Sequence, residues 1–168
     1  MRSTLLLFIF LISTLNGFSQ DAESVFKLGE KKFQAGDYKG AEVEYTKALA
    51  LDAKQANAYI RRGFCRSQLL DYKGAIEDYS KVIEIDGKHK WAYLSRGAAK
   101  NKLNAYKEAM IDFNKVLELD PKDQEAYNNR GFSKKGLEDK EGACADWNQS
   151  KKLGNEEAKI ILKNNHCK

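Results

Sequence analysis

The chain has few of the residues that break helices and few of those that carry chemistry. Among 168 residues there are one proline (Pro121), two histidines (His89 and His166) and three cysteines. So little proline leaves long stretches free to be helical. The β-branched runs that make strands are also rare. No HExxH, GxSxG or glycine-rich phosphate loop is present, so the usual metal, nucleophile and phosphate chemistries have no motif to rest on. No catalytic residue, metal or cofactor is expected. Charged residues make up 32 %, and the net charge of +5 is spread along the chain without a dense basic run. That gives an ample solvated surface and no footprint for nucleic acid.

Long apolar runs are scarce too, and the clearest is at the start. Arg2 precedes an apolar stretch from Leu5 to Ile12, and small and polar residues follow. That is the layout of a secretory signal peptide over residues 1–19, with cleavage after Ser19. The run is too short to span a membrane, and no cysteine near the cleavage point offers a lipid attachment. The expected mature protein is exported, periplasmic or extracellular, in a compartment that permits disulfides. It is not expected to insert into a membrane once the leader is removed.

What the chain does have is a period. Gly29, Gly63, Gly97 and Gly131 are each 34 residues apart, as are Ala41, Ala75, Ala109 and Ala143. Tyr45, Tyr79, Phe113 and Trp147 keep the same spacing, and Tyr38, Tyr72 and Tyr106 keep it until Lys140. A period of this length marks a stack of one supersecondary unit. Each unit reads as two helices. In the second, Ala75, Ile76, Tyr79, Val82 and Ile83 form an apolar stripe at helical spacing. Asp37 and Asp71 are placed to cap the second helix of their units. Pro121 stops the helix before it. Gly63 lies mid-helix, where glycine costs about 1 kcal/mol against alanine. Close approach of the two helices would explain it, with Ala75 as the small opposing residue.

These positions resemble the tetratricopeptide repeat, a helix–turn–helix unit of 34 residues. The resemblance covers the glycines and alanines above and the aromatics Tyr59, Tyr93 and Tyr127 near the unit starts. It divides the chain into units at 22–55, 56–89, 90–123 and an atypical 124–154, followed by a C-terminal capping helix and tail at 155–168. The fold it implies is all-α, an α–α superhelix of paired antiparallel helices. The ending also resembles small exported proteins of this family from Bacteroidetes-type bacteria. One departure recurs. Where the family has leucine before the glycine, Leu28 keeps it, but Arg62, Arg96 and Arg130 replace it. Asp78, Asp112 and Asp146 recur 16 residues downstream of them, which points to structural ion pairs. The first unit has Leu28 and Glu44 and lacks both members.

The resemblance implies a concave groove lined by the first helix of each unit. Carried over to this chain, its candidate partner-binding residues are Phe26, Phe33, Phe64, Trp91, Leu94, Asn128 and Phe132. The same aromatics could instead pack between neighbouring helices. Trp91 stands out because no other unit has an aromatic at its position. Glu23 and Glu30 come early on this face, and Lys102 and Lys135 come late. That does not match the clamp by which some family members hold a terminal carboxylate, so chaperone-tail binding is not expected. The function implied is a non-catalytic interaction module for a peptide or protein partner. The alternative is a structural or assembly subunit of a cell-envelope complex, using the convex face or the ends.

The remaining rare residues gather near the end. Cys144, His166 and Cys167 offer at most three metal ligands, where a structural zinc site takes four. The register of the repeat breaks after Trp147. Gly154 and Asn155 lead into a last helix over about 156–164, whose Ala158, Ile161 and Leu162 form one apolar face. Arrays of repeats need such a cover on their last unit. A Cys144–Cys167 disulfide would staple it down. Cys65 reads as a buried free thiol.

Overall fold

The computed structural model describes residues 21–167. The expected leader lies outside them. The described residues form nine α-helices and no strand: α1 (Ala22–Gln34), α2 (Tyr38–Leu51), α3 (Ala56–Gln68), α4 (Tyr72–Ile85), α5 (Lys90–Lys102), α6 (Tyr106–Leu119), α7 (Gln124–Gly136), α8 (Lys140–Lys152) and α9 (Glu156–Asn164). Helices α1 to α8 form four antiparallel pairs, and each pair packs on the next. None of the described helices is long and apolar enough to cross a membrane.

Local sequence sets the ends of these helices. The first helix of each pair ends in a turn whose residue has positive φ: Gly36, Leu70, Asn104 and Glu138. In each turn the next N–H reaches back to the last helical turn, as from Asp37 to the Lys32 carbonyl and from Asp71 to the Arg66 carbonyl. This is the Schellman arrangement. The second helix then starts on an aspartate. Asp37, Asp71 and Asp139 accept from the N–H groups of Gly40, Gly74 and Gly142. A Cβ on any of these glycines would collide with the capping carboxylate. In the third pair Ala105 replaces the cap, and the glycine is replaced by Glu108. The second helices end at Asp52, Asp86 and Asp120, whose carboxylates each accept an N–H two residues on. These Asx-turns start the links between pairs.

One contact, repeated four times, holds each pair together. The aromatic ring of the second helix lies against the glycine of the first. A Cβ on Gly29 would stand 2.6 Å from Tyr45, and one on Gly63 2.8 Å from Tyr79. Gly97 faces Phe113 and Gly131 faces Trp147 in the same way. Ala75 is therefore not the group opposite Gly63. The Tyr79 ring occupies that place, and the glycine makes room for a large side chain rather than meeting a small one. The rings of Tyr45, Tyr79, Phe113 and Trp147 are buried, as are Ala41, Ala75, Ala109 and Ala143.

The last helix covers the end of the array. Ile161 and Leu162 of α9 pack on Ala143 and Trp147 of α8. Asn155 caps α9 by accepting from the Glu157 and Ala158 N–H groups. Cys144 and Cys167 form a disulfide, with Cα atoms 5.5 Å apart, within the usual range for such bridges.

Candidate functional site

Each pair buries a carboxylate beside the aromatic ring on its second helix. Asp78, Asp112 and Asp146 are the buried acids of the last three pairs, and Glu44 is that of the first. Arg96 grips Asp112 through Nε at 3.0 Å and Nη2 at 2.6 Å. Arg62 and Arg130 hold Asp78 and Asp146 with the same fork, a geometry suited to a planar guanidinium. Each arginine has a third contact. Its Nη1 donates to the preceding pair's second helix: to Thr46, Ser80 and Asn114 from Arg62, Arg96 and Arg130 respectively. One side chain thus ties its own helix to two others. The guanidinium groups also lie over Tyr59, Tyr93 and Tyr127.

A second cation completes each site, and sequence reasoning missed it. Arg66, Lys100 and Lys134, one helical turn beyond each arginine, also reach the buried aspartates. Lys32 is the same position in the first pair, and it holds Glu44 at 2.7 Å. The first pair therefore does not lack the buried ion pair. It keeps an acid, longer by one methylene, and neutralises it with Lys32 and with Lys47 on its own helix, without an arginine. The signal was present in the period, since residues 32, 66, 100 and 134 are all basic. Burial pushes the Asp78 carboxyl up in spite of Arg62 and Arg66. Desolvation at that depth offsets much of the attraction at Asp78. The lysine hydrogen bond has the opposite result at Glu44 and holds its carboxyl below the usual range.

On the face formed by α1, α3, α5 and α7 lies a row of three clefts. The first, about 520 Å³, is lined by residues that include Phe26, Phe33, Ile60, Phe64 and Trp91. The second, about 470 Å³, shares Phe64 and Trp91 and adds Leu70, Tyr72, Leu94 and Lys102. The third, about 580 Å³, shares Lys102 and Asn129 with the second and adds Phe132 and Lys135. Trp91 is 38 % exposed and stands edge-on to Tyr79, with ring centroids 5.7 Å apart. Phe132, 37 % exposed, does the same on Trp147. Leu94 is half-buried.

The other candidates on this face are more occupied. Phe33 packs between helices, with its ring 5.4 Å from that of Phe64 and under the Arg61 guanidinium. Phe26 leans on Tyr45. Asn128 is buried, 7 % exposed, and its carbonyl accepts from the Trp147 indole. It has almost no surface to offer a partner. His89 is half-buried. It caps α5, where its Nδ1 accepts the Ala92 N–H, and it lines the first cleft. Cys65 is free and buried. Burial pushes its thiol up to about 12, which makes it a poor nucleophile. Among the described residues, no group of acidic, histidine or cysteine side chains could hold a metal ion.

A family model described as the tetratricopeptide repeat matches residues 56–89 and 92–123. The chain is similar to a solved structure of the first TPR of Spaghetti (RPAP3) bound to the HSP90 peptide SRMEEVD. The identity is 30 % over 72 % of this chain and 96 % of that one, with a TM-score of 0.67. The second TPR domain of human RPAP3, in complex with the HSP70 peptide SGPTIEEVD, is 30 % identical. That match covers 67 % of this chain and 94 % of the other, with a TM-score of 0.64. The fold also matches MamA from Desulfovibrio magneticus, at 20 % identity over 81 % of this chain and 77 % of that one, with a TM-score of 0.76. No curated protein sequence matches the chain.

Proposed function

The chain belongs to the tetratricopeptide repeat family, and from that premise we propose that it holds an extended segment of a protein partner along the α1–α3–α5–α7 face. The family is a non-catalytic scaffold for protein interaction. The observation that carries the proposal is the exposed indole of Trp91, shared by two open clefts and bordered by Phe64 and Leu94. Large aromatic groups left exposed at the centre of a concave surface are the usual anchors of an interface. The peptide-bound solved structures support the same use of the fold.

In this reading Trp91, Phe64, Leu94 and Phe132 contact the partner. Phe26 and Phe33 form the cleft wall. The units run over 22–55, 56–89, 90–123 and 124–154, with 155–168 as the cap. The protein works after export, in the periplasm or outside the cell, as a small exported member of the family of the Bacteroidetes type. The Cys144–Cys167 bridge supports that location, because disulfides persist in oxidising compartments. Capture of partners from the cell's own envelope fraction tests the proposal. Trp91→Ala and Phe64→Ala should each abolish capture of the wild-type partner while circular dichroism shows the helices intact. Undiminished capture by both variants would place the interaction on the opposite face or at the ends, as for an assembly subunit.

A further inference from the structure

We propose that Leu70 is a specificity-determining contact of this face, closing over an apolar side chain of a segment whose flanking residues are acidic; this rests on the groove reading above. Four turns place a residue at positive φ between the helices of a pair: Gly36 at 77°, Leu70 at 66°, Asn104 at 59° and Glu138 at 65°. Glycine suits that conformation best, and asparagine is the side chain that tolerates it most readily. A branched apolar residue is poorly suited to it. Burial does not compensate, because Leu70 is 71 % exposed. A leucine at this turn costs the fold stability and returns nothing to its core. What it does is line the second cleft beside Phe64, Tyr72, Trp91 and Leu94. A residue that is strained, exposed and apolar at the rim of a binding cleft fits a role in binding.

The charges at the neighbouring cleft define the rest of the partner. Lys102 lines both the second and third clefts, and Lys135 lines the third. Neither ammonium group makes an ion pair or hydrogen bond among the described residues, whereas their neighbours Lys100 and Lys134 are tied to buried aspartates. In the third cleft these two lysines outnumber the single acid, Glu157. In the second, Lys102 is balanced by Glu125. In the first, Arg61 is already paired with Glu30 at 3.0 Å. The positive surplus therefore lies on the α7 side of the apolar cleft, where acidic residues of the segment would complement it.

Fluorescence anisotropy with two pools of labelled nine-residue peptides tests this. Each peptide carries one central leucine or phenylalanine in a glycine–serine chain, flanked by two aspartates in one pool and by two lysines in the other. The purified protein, with its disulfide intact, should bind the aspartate pool about ten-fold more tightly than the lysine pool. Leu70→Asn should weaken that binding about five-fold while raising the melting midpoint by about 2 °C. Leu70→Ala, which removes the side chain but keeps the strained turn, should weaken binding without raising the midpoint. Wild-type binding by both Leu70 variants overturns the role of Leu70, and so does a fall in melting midpoint with Leu70→Asn. Failure of the aspartate pool to outbind the lysine pool, including no binding of either, overturns the partner chemistry. Trp91→Ala separates the two levels. If it alone abolishes binding, Leu70 is overturned and the groove reading stands. If it binds like wild type, the groove reading fails and the inference fails with it.

Discussion

The first helix pair and the three after it bury a carboxylate at the same place and neutralise it differently. Asp78, Asp112 and Asp146 each sit between an arginine and a second cation. Glu44 has Lys32 and Lys47, and no arginine. The difference follows from what lies upstream. Each arginine uses its outer nitrogen to reach the preceding pair, at Thr46, Ser80 or Asn114. No helix pair precedes α1 among the described residues, and there Leu28 takes the arginine's place. The arginine is thus a joint between pairs as well as a counter-ion. Lys100 and Lys134 serve the pair to which they belong, whereas Arg66 also reaches Glu42 of the preceding pair at 2.8 Å.

The largest test of this comparison is Arg96→Ala. It leaves Asp112 buried with Lys100 alone, and should cost about 3 to 5 kcal/mol in denaturant unfolding. The double variant with Asp112→Ala should lose clearly less than the sum of the two single losses. Additive losses would mean that the pair does not act as a unit. At the other end of the array, reduction of Cys144–Cys167 should cost about 3 kcal/mol. Hydrogen exchange should show the loss concentrated in α9, and uniform loss along the chain would contradict its role as a cover.

Glu44→Gln tests the first pair and should cost only about 1 to 2 kcal/mol, because its lysine partners keep access to water. The sign with pH follows from the depressed carboxyl. Glu44 contributes stability above the ordinary carboxylate range and loses it as pH falls through its lowered folded-state value. The variant should therefore show a flatter acid dependence than wild type, and identical curves would refute the pairing. The smallest effect should come from Leu28→Arg, within about 0.5 kcal/mol of wild type, since among the described residues no helix precedes α1 for the new outer nitrogen to reach. A gain as large as the Arg96→Ala loss would show that the joint to a preceding pair is not what the arginine supplies.

Much of this architecture can be read from the chain because repetition exposes it. The glycine and the aromatic ring keep one spacing through four pairs, and the aspartate caps with their following glycines keep it in all but the third. Arg62, Arg96 and Arg130 can be seen to travel with Asp78, Asp112 and Asp146. The second cation and the upstream hydroxyls and amide have the same period. They escape notice because lysine, serine and threonine are ordinary on a helix surface. Glu44 does not stand out in the repeat because its partner is Lys32 rather than residue 28. Asn128 shares the register of Leu94 in the chain, but the structure buries it, with its carbonyl accepting from the Trp147 indole. The clefts were legible only as a row of candidate side chains.

The sequence alone determined the helices, their caps and their pairing, because these depend on contacts within one repeating unit of local chain. Only the tertiary structure decided which aromatics remain open, which cations are tied to buried acids and where the exposed Leu70 lies. Those outcomes depend on side chains brought together from different helices, as Arg66 and Lys100 meet Asp78 and Asp112 from 12 residues away in sequence. Their size and charge decide what space and what ligands are left over.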